Sequence, residues 1–364
     1  MDFIRRNETV EGKTAREWIN LGNAVCDPEQ KIECYRKVLS IDPNDISSWN
    51  GRGIALSHLG RYEEALRAYD RALEMNPNAA SIWFNKGNAL RKLGQYRDAV
   101  RAYDRATTLD LNFAPAWNNR GLALQECGRY RDALRSYDWA LELDPSYASA
   151  WNNRGALLYS LGRYDEAVES YTRALTLNPD IAAAWFNVGT IFQELGRCEE
   201  GIRAYGLALQ GNPNAVSAWL QKGDALQELG RYEDAVEAYD HALSINPDLA
   251  PAWNNKGIAL GKLGRFEDAV MAYDRALAID PHSASAWCNK GIALTRLGRC
   301  SRDCYEEAVS AYSHALSFDP SCEIARKGKQ LALDRLRAQD ISSIRNRPAS
   351  RRGRAGRPGK GRHS

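Results

Sequence analysis

The chain has 364 residues, 44% hydrophobic and 26% charged, the proportions of an ordinary soluble protein. No run of about 18 apolar residues occurs, which argues against a membrane-spanning helix. The start, MDFIRRNETVEGKTAREW, lacks the apolar core of a signal peptide, so the cytoplasm is the expected compartment. The net charge of +3 is uneven: residues 345–364 hold eight Lys or Arg and no acid, against 41 basic and 46 acidic residues elsewhere.

Residues 1–14 read as a leader. A first unit follows with Trp18, Gly22, Tyr35 and Pro43, but Trp18 and Trp49 are only 31 residues apart, so its inter-helix turn is short. From Trp49 the chain repeats every 34 residues, through Trp83, Trp117, Trp151, Trp185, Trp219, Trp253 and Trp287. A Gly stands four residues after each Trp and another eleven after. Tyr stands twenty after, from Tyr69 to Tyr273, with Ala three further on, and each unit closes on Pro except at Leu111. A fixed period of this length marks stacked supersecondary units.

Each unit predicts two helices. The first runs from just before the Trp to the second Gly, which can take positive φ and end it. The second carries apolar residues at spacings of three and four, as in Tyr62, Ala65, Leu66, Tyr69, Ala72 and Leu73. The Asn-Pro or Asp-Pro ending stops it, and Asn78, Ser146 and Asp248 are expected to cap the next helix. In the fifth regular unit Cys198, Gly201 and Gly206 replace Tyr, Ala and Asp, so residues 198–211 should be the softest second helix. The last unit has five extra residues, Cys300 to Cys304, in its turn. Residues 323–344 read as a capping helix, with Leu333 and Leu336 in core phase. Residues 345–364 read as a disordered basic Arg/Gly/Pro tail.

This pattern of Trp, Gly, Tyr, Ala and Pro resembles the tetratricopeptide repeat (TPR) family over about residues 15–322. The resemblance implies an all-α, right-handed α-solenoid superhelix of about nine 34-residue helix-turn-helix units plus the capping helix. It also implies a concave groove lined by the first helices. In the family's O-GlcNAc-transferase-like members a comparable Asn row holds a peptide backbone.

Two rows matter for function. Two after the Trp stand Asn85, Asn119, Asn153, Asn187, Asn255 and Asn289, expected to form a ladder in the groove. An amide both donates and accepts, so it suits an extended chain; it would equally satisfy backbone groups between helices. One after the Trp, Phe84, Asn118, Asn152, Phe186 and Asn254 vary between units and are expected to tune the ligand, with Asn88 five after. Three after the Trp lies a basic row of Arg52, Lys86, Arg120, Arg154, Lys222, Lys256 and Lys290, interrupted by Val188. Its stems should pack and its heads snorkel toward Asp70, Asp104, Asp138, Asp240 and Asp274; an anion track is the alternative.

No enzyme is expected. The five His make no HExxH, no phosphate-binding loop stands between strand and helix, and too little chain remains outside the repeats for a catalytic domain. No cofactor is called for. Cys300 and Cys304, near Cys288 and Cys322, are a weak metal or redox candidate, and the scattered Cys read mostly as small buried hydrophobes. In the family's chaperone-binding members a Lys follows the aromatic slot as part of a carboxylate clamp; here no basic residue follows a Trp, so no clamp is expected. Trp139 is expected to lie on an outer face over Arg135. The expected function is a scaffold or adaptor binding a protein or extended peptide. The alternative is a nucleic-acid-associated adaptor whose tail contacts RNA, DNA or an acidic surface.

Overall fold

The computed structural model describes residues 9–297 and 302–345, with side chains as far as Gln339 in the second stretch. The expected tail beyond Arg345 and residues 298–301, which include Cys300 and Ser301 of the inserted turn, lie outside the described residues. First helices of the pairs are α1 (Ala15–Ala24), α3 (Ile46–His58), α5 (Ala80–Lys92), α7 (Ala114–Glu126), α9 (Ala148–Ser160), α11 (Ala182–Glu194), α13 (Val216–Glu228), α15 (Ala250–Lys262) and α17 (Ala284–Leu297). Second helices are α2 (Pro28–Ile41), α4 (Tyr62–Met75), α6 (Tyr96–Leu109), α8 (Tyr130–Leu143), α10 (Tyr164–Leu177), α12 (Cys198–Gly211), α14 (Tyr232–Ile245), α16 (Phe266–Ile279) and α18 (Arg302–Phe318), and α19 (Glu323–Arg345) follows. The chain divides between Ile191 and Phe192 into two compact bodies.

Within a pair, the helices meet through the Tyr and the first Gly. Tyr103 is fully buried, and a Cβ on Gly87 would come within 2.6 Å of its ring, so only Gly allows this approach. The second Gly ends the first helix as its position suggests. Gly94 has φ 74°, its N–H bonds to the Arg91 carbonyl, and the next N–H, of Gln95, reaches back to Leu90 at 2.9 Å. This is a Schellman ending.

The Trp has a polar role that hydrophobic periodicity does not reveal. Its indole N–H donates to the carbonyl six residues earlier, that of the unit-closing Pro: Trp83 to Pro77 at 2.9 Å and Trp253 to Pro247 at 2.9 Å. Leu111 breaks the Pro pattern harmlessly, because only its carbonyl is used, by Trp117 at 3.1 Å. Arg326, at the Trp slot of α19, donates to the Pro320 carbonyl at 2.8 Å in the same way.

Two expectations are corrected and one element is added. The residues after Pro do not cap the next helix: α5, α9 and α15 start at Ala79, Tyr147 and Leu249 with no side-chain cap. The Asn or Asp before Pro turns the chain instead, accepting the N–H two residues on, as Asn76 does from Asn78 at 3.1 Å and Asp144 from Ser146 at 2.9 Å. Such Asx turns compete with capping for the same loop. Within the leader, Thr9–Val10 (β1) and Lys13–Thr14 (β2) pair antiparallel across Glu11 and Gly12, both at positive φ. There the Val10 carbonyl receives the Trp18 indole at 3.0 Å, standing in for a preceding Pro. Finally, Trp139 stacks on Trp117 of its own unit, centroids 6.0 Å apart, rather than on Arg135. His241 on Trp219 and His314 on Trp287 repeat this contact.

The seven described cysteines are free thiols, and Cys304 lies within α18. No group of three or more metal-ligating side chains occurs among the described residues. No described helix is long and apolar enough to cross a membrane.

Candidate partner-binding face

Successive first helices touch each other directly, α3 with α5, α5 with α7 and α7 with α9 in the first body, and α13 with α15 and α15 with α17 in the second. No pair of successive second helices is in contact to the same extent. Within each body the first helices therefore form one continuous face, the inner face of each helix layer.

The Asn row lies between neighbouring first helices and is bonded there. Asn85 donates to Asn50 at 3.1 Å, Asn153 to Asn118 at 3.0 Å and Asn289 to Asn254 at 3.1 Å, each accepting oxygen standing one after the Trp of the preceding unit. Asn119 instead donates to Asn88 at 2.8 Å and Asn255 to Asp224 at 2.9 Å, where the acceptor stands five after the Trp. In these five units the two acceptor slots are filled reciprocally. Units with Asn at the first slot carry an apolar residue at the second: Asn50 with Ile54, Asn118 with Leu122, Asn254 with Ile258. Units with an apolar first slot carry the acceptor at the second: Phe84 with Asn88, Leu220 with Asp224. What looked like ligand-tuning variation in these slots is therefore also a constraint from the next repeat.

The other site candidates fit the same frame. Asn118 is 3% exposed and also donates to Asn119 at 3.0 Å, as Asn254 does to Asn255 at 3.2 Å. Phe84 packs on Phe113 and Tyr103, at centroid distances of 4.9 and 6.1 Å. Phe186 is half-buried. One rung departs: Asn187 donates to the Tyr171 hydroxyl at 3.0 Å, and the buried Asn152 oxygen, the expected acceptor, has no partner. Where the row lacks an amide, Gly replaces it, at Gly51 and Gly328, each backed by a Tyr ring.

Burial sets the electrostatics of this seam. It holds the Asp224 carboxyl above its ordinary range, against the hydrogen bonds from Tyr239 and Asn255 that pull it down. It also pushes the Tyr103 hydroxyl up to about 12, so the phenol stays a neutral donor to Asn88 at 2.7 Å.

The basic row pairs as expected with acids on the preceding second helix. Lys86 meets Asp70 at 2.6 Å, Arg120 Asp104 at 2.6 Å, Arg154 Asp138 at 2.9 Å, Lys256 Asp240 and Lys290 Asp274 at 2.5 Å. Val188, the uncharged exception, has Thr172 sixteen residues earlier, at the acid's slot. Two cations lack their acid: Lys222, because Gly206 occupies its slot, and Arg52, because Arg36 does. The Arg52 Nε is buried without an acceptor, and desolvation lowers its pKa.

What the amides and ion pairs leave open on the inner face are the slots five, eight and nine after the Trp. In the first body Ile54, Ser57, His58, Asn85, Asn88 and Lys92 line a hollow of about 230 Å³. In the second body a groove of about 990 Å³ runs between α17 and α19.

A tetratricopeptide repeat family model matches residues 50–110, 84–126, 118–180, 157–194 and 254–321, more than half of the chain, and a second matches residues 214–282. The chain belongs to the tetratricopeptide repeat family. Among solved structures, this TPR chain is similar to the C-terminal part of a TPR repeat-containing protein from Cytophaga hutchinsonii. The two are 15% identical over 67% of this chain and 98% of that one, with a TM-score of 0.59, a likeness of fold alone. It is also similar to YrrB, described as a TPR protein with an unusual peptide-binding site, at 25% identity over 51% of this chain and 96% of that one, with a TM-score of 0.48. No curated protein matches it.

Proposed function

We propose that the protein is a non-catalytic scaffold that holds a peptide or protein segment along the inner, first-helix face of its TPR units. The observation that carries this is the contrast between two faces. The outward seam also has hollows, of about 470, 520 and 350 Å³, but most of its cations are already neutralised by Asp. The inner face instead presents mixed apolar and polar side chains, with amide donors to spare, around hollows of about 230 and 990 Å³. The amide row keeps a part in binding. Each Asn amide nitrogen has two hydrogens and the inter-repeat bond uses one. Asn85, Asn119, Asn153, Asn187, Asn255 and Asn289 thus each retain a donor for a ligand carbonyl, at fixed spacing.

The test is selection of displayed peptides on the full-length chain, followed by affinity measurement. Ile54→Asp combined with Lys92→Glu should weaken first-body binders at least about tenfold, while Arg135→Glu on the outer side should leave them unchanged. Binders that ignore the inner substitutions and respond to the outer one would sink the reading.

A second reading rests on the eight cations and no acid of residues 345–364: the tail gives the scaffold a salt-sensitive contact with nucleic acid. A gel-shift titration with and without residues 346–364 tests it. Equal retardation of both proteins would discard it.

A further inference from the structure

Among the hollows of the inner face, the groove between α17 and α19 differs in kind, and three observations on it converge. First, the amide ladder stops there. Cys288 and Ile292 supply no acceptor at the two slots of α17, and α19 carries Gly328 where the donor amide would be. A side chain at Gly328 would meet Tyr312, its Cβ lying 2.7 Å from the Tyr312 Cε1, so the rung cannot be restored by the chain itself. The Tyr312 ring takes the place of the Asn there, and no rung of the amide ladder ties α17 to α19 across the groove. Second, the floor is apolar and exposed: Ile324 is 63%, Leu331 49% and Ile292 37% accessible. Third, the rim has one sign. Arg296, Lys327 and Arg335 line the groove and no acidic side chain does; Glu323 neutralises Lys327 in part from one turn away, at 3.1 Å.

We propose that this groove binds an acidic segment of a partner protein that carries apolar anchors, the anchors seated on Ile292, Ile324 and Leu331 and the carboxylates facing Arg296, Lys327 and Arg335. This rests on the scaffold reading above and names the chemistry of one of its ligands. The sign of the rim selects the occupant. The chain's own segment 346–364 is excluded as occupant, because it is basic throughout. A nucleic-acid strand is disfavoured for another reason. The aromatic rings in the groove, Tyr305 and Tyr312, are 5% and 2% exposed and offer no face on which a base can stack.

The experiment uses the full-length chain and labelled synthetic peptides of equal length, alternating Leu-Glu, Leu-Lys or Ser-Glu, with oligouridylate as competitor, read by fluorescence anisotropy. The Leu-Glu peptide should bind at least about tenfold more tightly than the other two. The Lys327→Glu/Arg335→Glu variant should lose about tenfold in affinity with an unchanged circular-dichroism melt. Equal binding of Leu-Lys, or displacement by oligouridylate at equal affinity, overturns the proposal. So does full binding by Lys327→Glu/Arg335→Glu; if Ile54→Asp/Lys92→Glu then abolishes that binding, the scaffold reading stands and only this location falls. Absence of binding by all three peptides overturns the proposal, and the scaffold reading falls with it only if displayed peptides also find no site.

Discussion

Asn119 donates its side-chain amide to Asn88 of the preceding repeat at 2.8 Å, while Asn88 also accepts the Tyr103 hydroxyl. One oxygen thus ties together a first helix, the second helix of its own unit and the next first helix. Where Asn88 is absent in other units, the oxygen comes from the slot four residues earlier, as from Asn50 to Asn85. The row of amides is a seam between repeats before it is anything to a ligand.

The reciprocal slots make this seam testable. Asn50→Leu leaves the half-buried Asn85 amide without its acceptor and should cost about 1–3 kcal/mol of stability. Adding Ile54→Asn supplies an oxygen at the Asn88-type position and should recover most of that loss, a coupling of about 0.5–3 kcal/mol in urea melts. Simple additivity of the two substitutions would show that the slots do not substitute for each other.

The indole N–H accounts for Trp, rather than any other large apolar residue, at the repeat's aromatic slot. Trp253→Phe keeps most of the ring but strips the bond to the Pro247 carbonyl, and should lower stability by about 0.5–1.5 kcal/mol. A Phe variant as stable as the parent would mean that the ring's packing alone sets the choice.

Gly206 lies within α12 and removes the acid that its neighbours offer the basic row. Gly206→Ala should gain about 1 kcal/mol from helix propensity alone. Gly206→Asp should match it despite the lower propensity of Asp, because it faces Lys222. Hydrogen exchange of the parent chain should show α12 opening more readily than α14 or α16. Equal protection in all three helices, together with no gain from Gly206→Ala, would contradict this account of the fifth unit.

Asp224 predicts a pH dependence. Its folded-state pKa is raised by burial, so it holds its proton more tightly folded than unfolded. The stability this contributes is complete below the ordinary carboxyl range, about pH 4, and is lost as pH rises through the folded value. Asp224→Asn, which copies the Asn88 arrangement, should therefore match the parent at low pH and exceed it at neutral pH. A constant difference across that window would remove Asp224 as the cause.

Most of the fold was legible because it is written twice over, in hydrophobic spacing and in a 34-residue period. Gly94 and Tyr103 could be placed from position alone. The Lys86–Asp70 type of pair could be anticipated, since both members recur at fixed phase. The amide acceptors were harder: their partner lies 31 or 35 residues away, and each slot taken singly looks variable. Only joint inspection of pairs such as Asn50 with Ile54 and Phe84 with Asn88 shows that five units keep one acceptor between the two slots. The capping assignment failed because Asn76 and Asn78 flank the same Pro, and composition cannot say which one turns the chain. The hairpin at Thr9 to Thr14 was missed because two-residue strands leave no periodicity.

The central claim is that ligands lie along the first helices. Hydrogen exchange of the full-length chain with and without a display-selected peptide tests it most directly. The account predicts new protection in first helices such as α3, α5 and α17, and in α19, with second helices unchanged. Protection confined to the second helices α4, α6, α8 and α16 would contradict it.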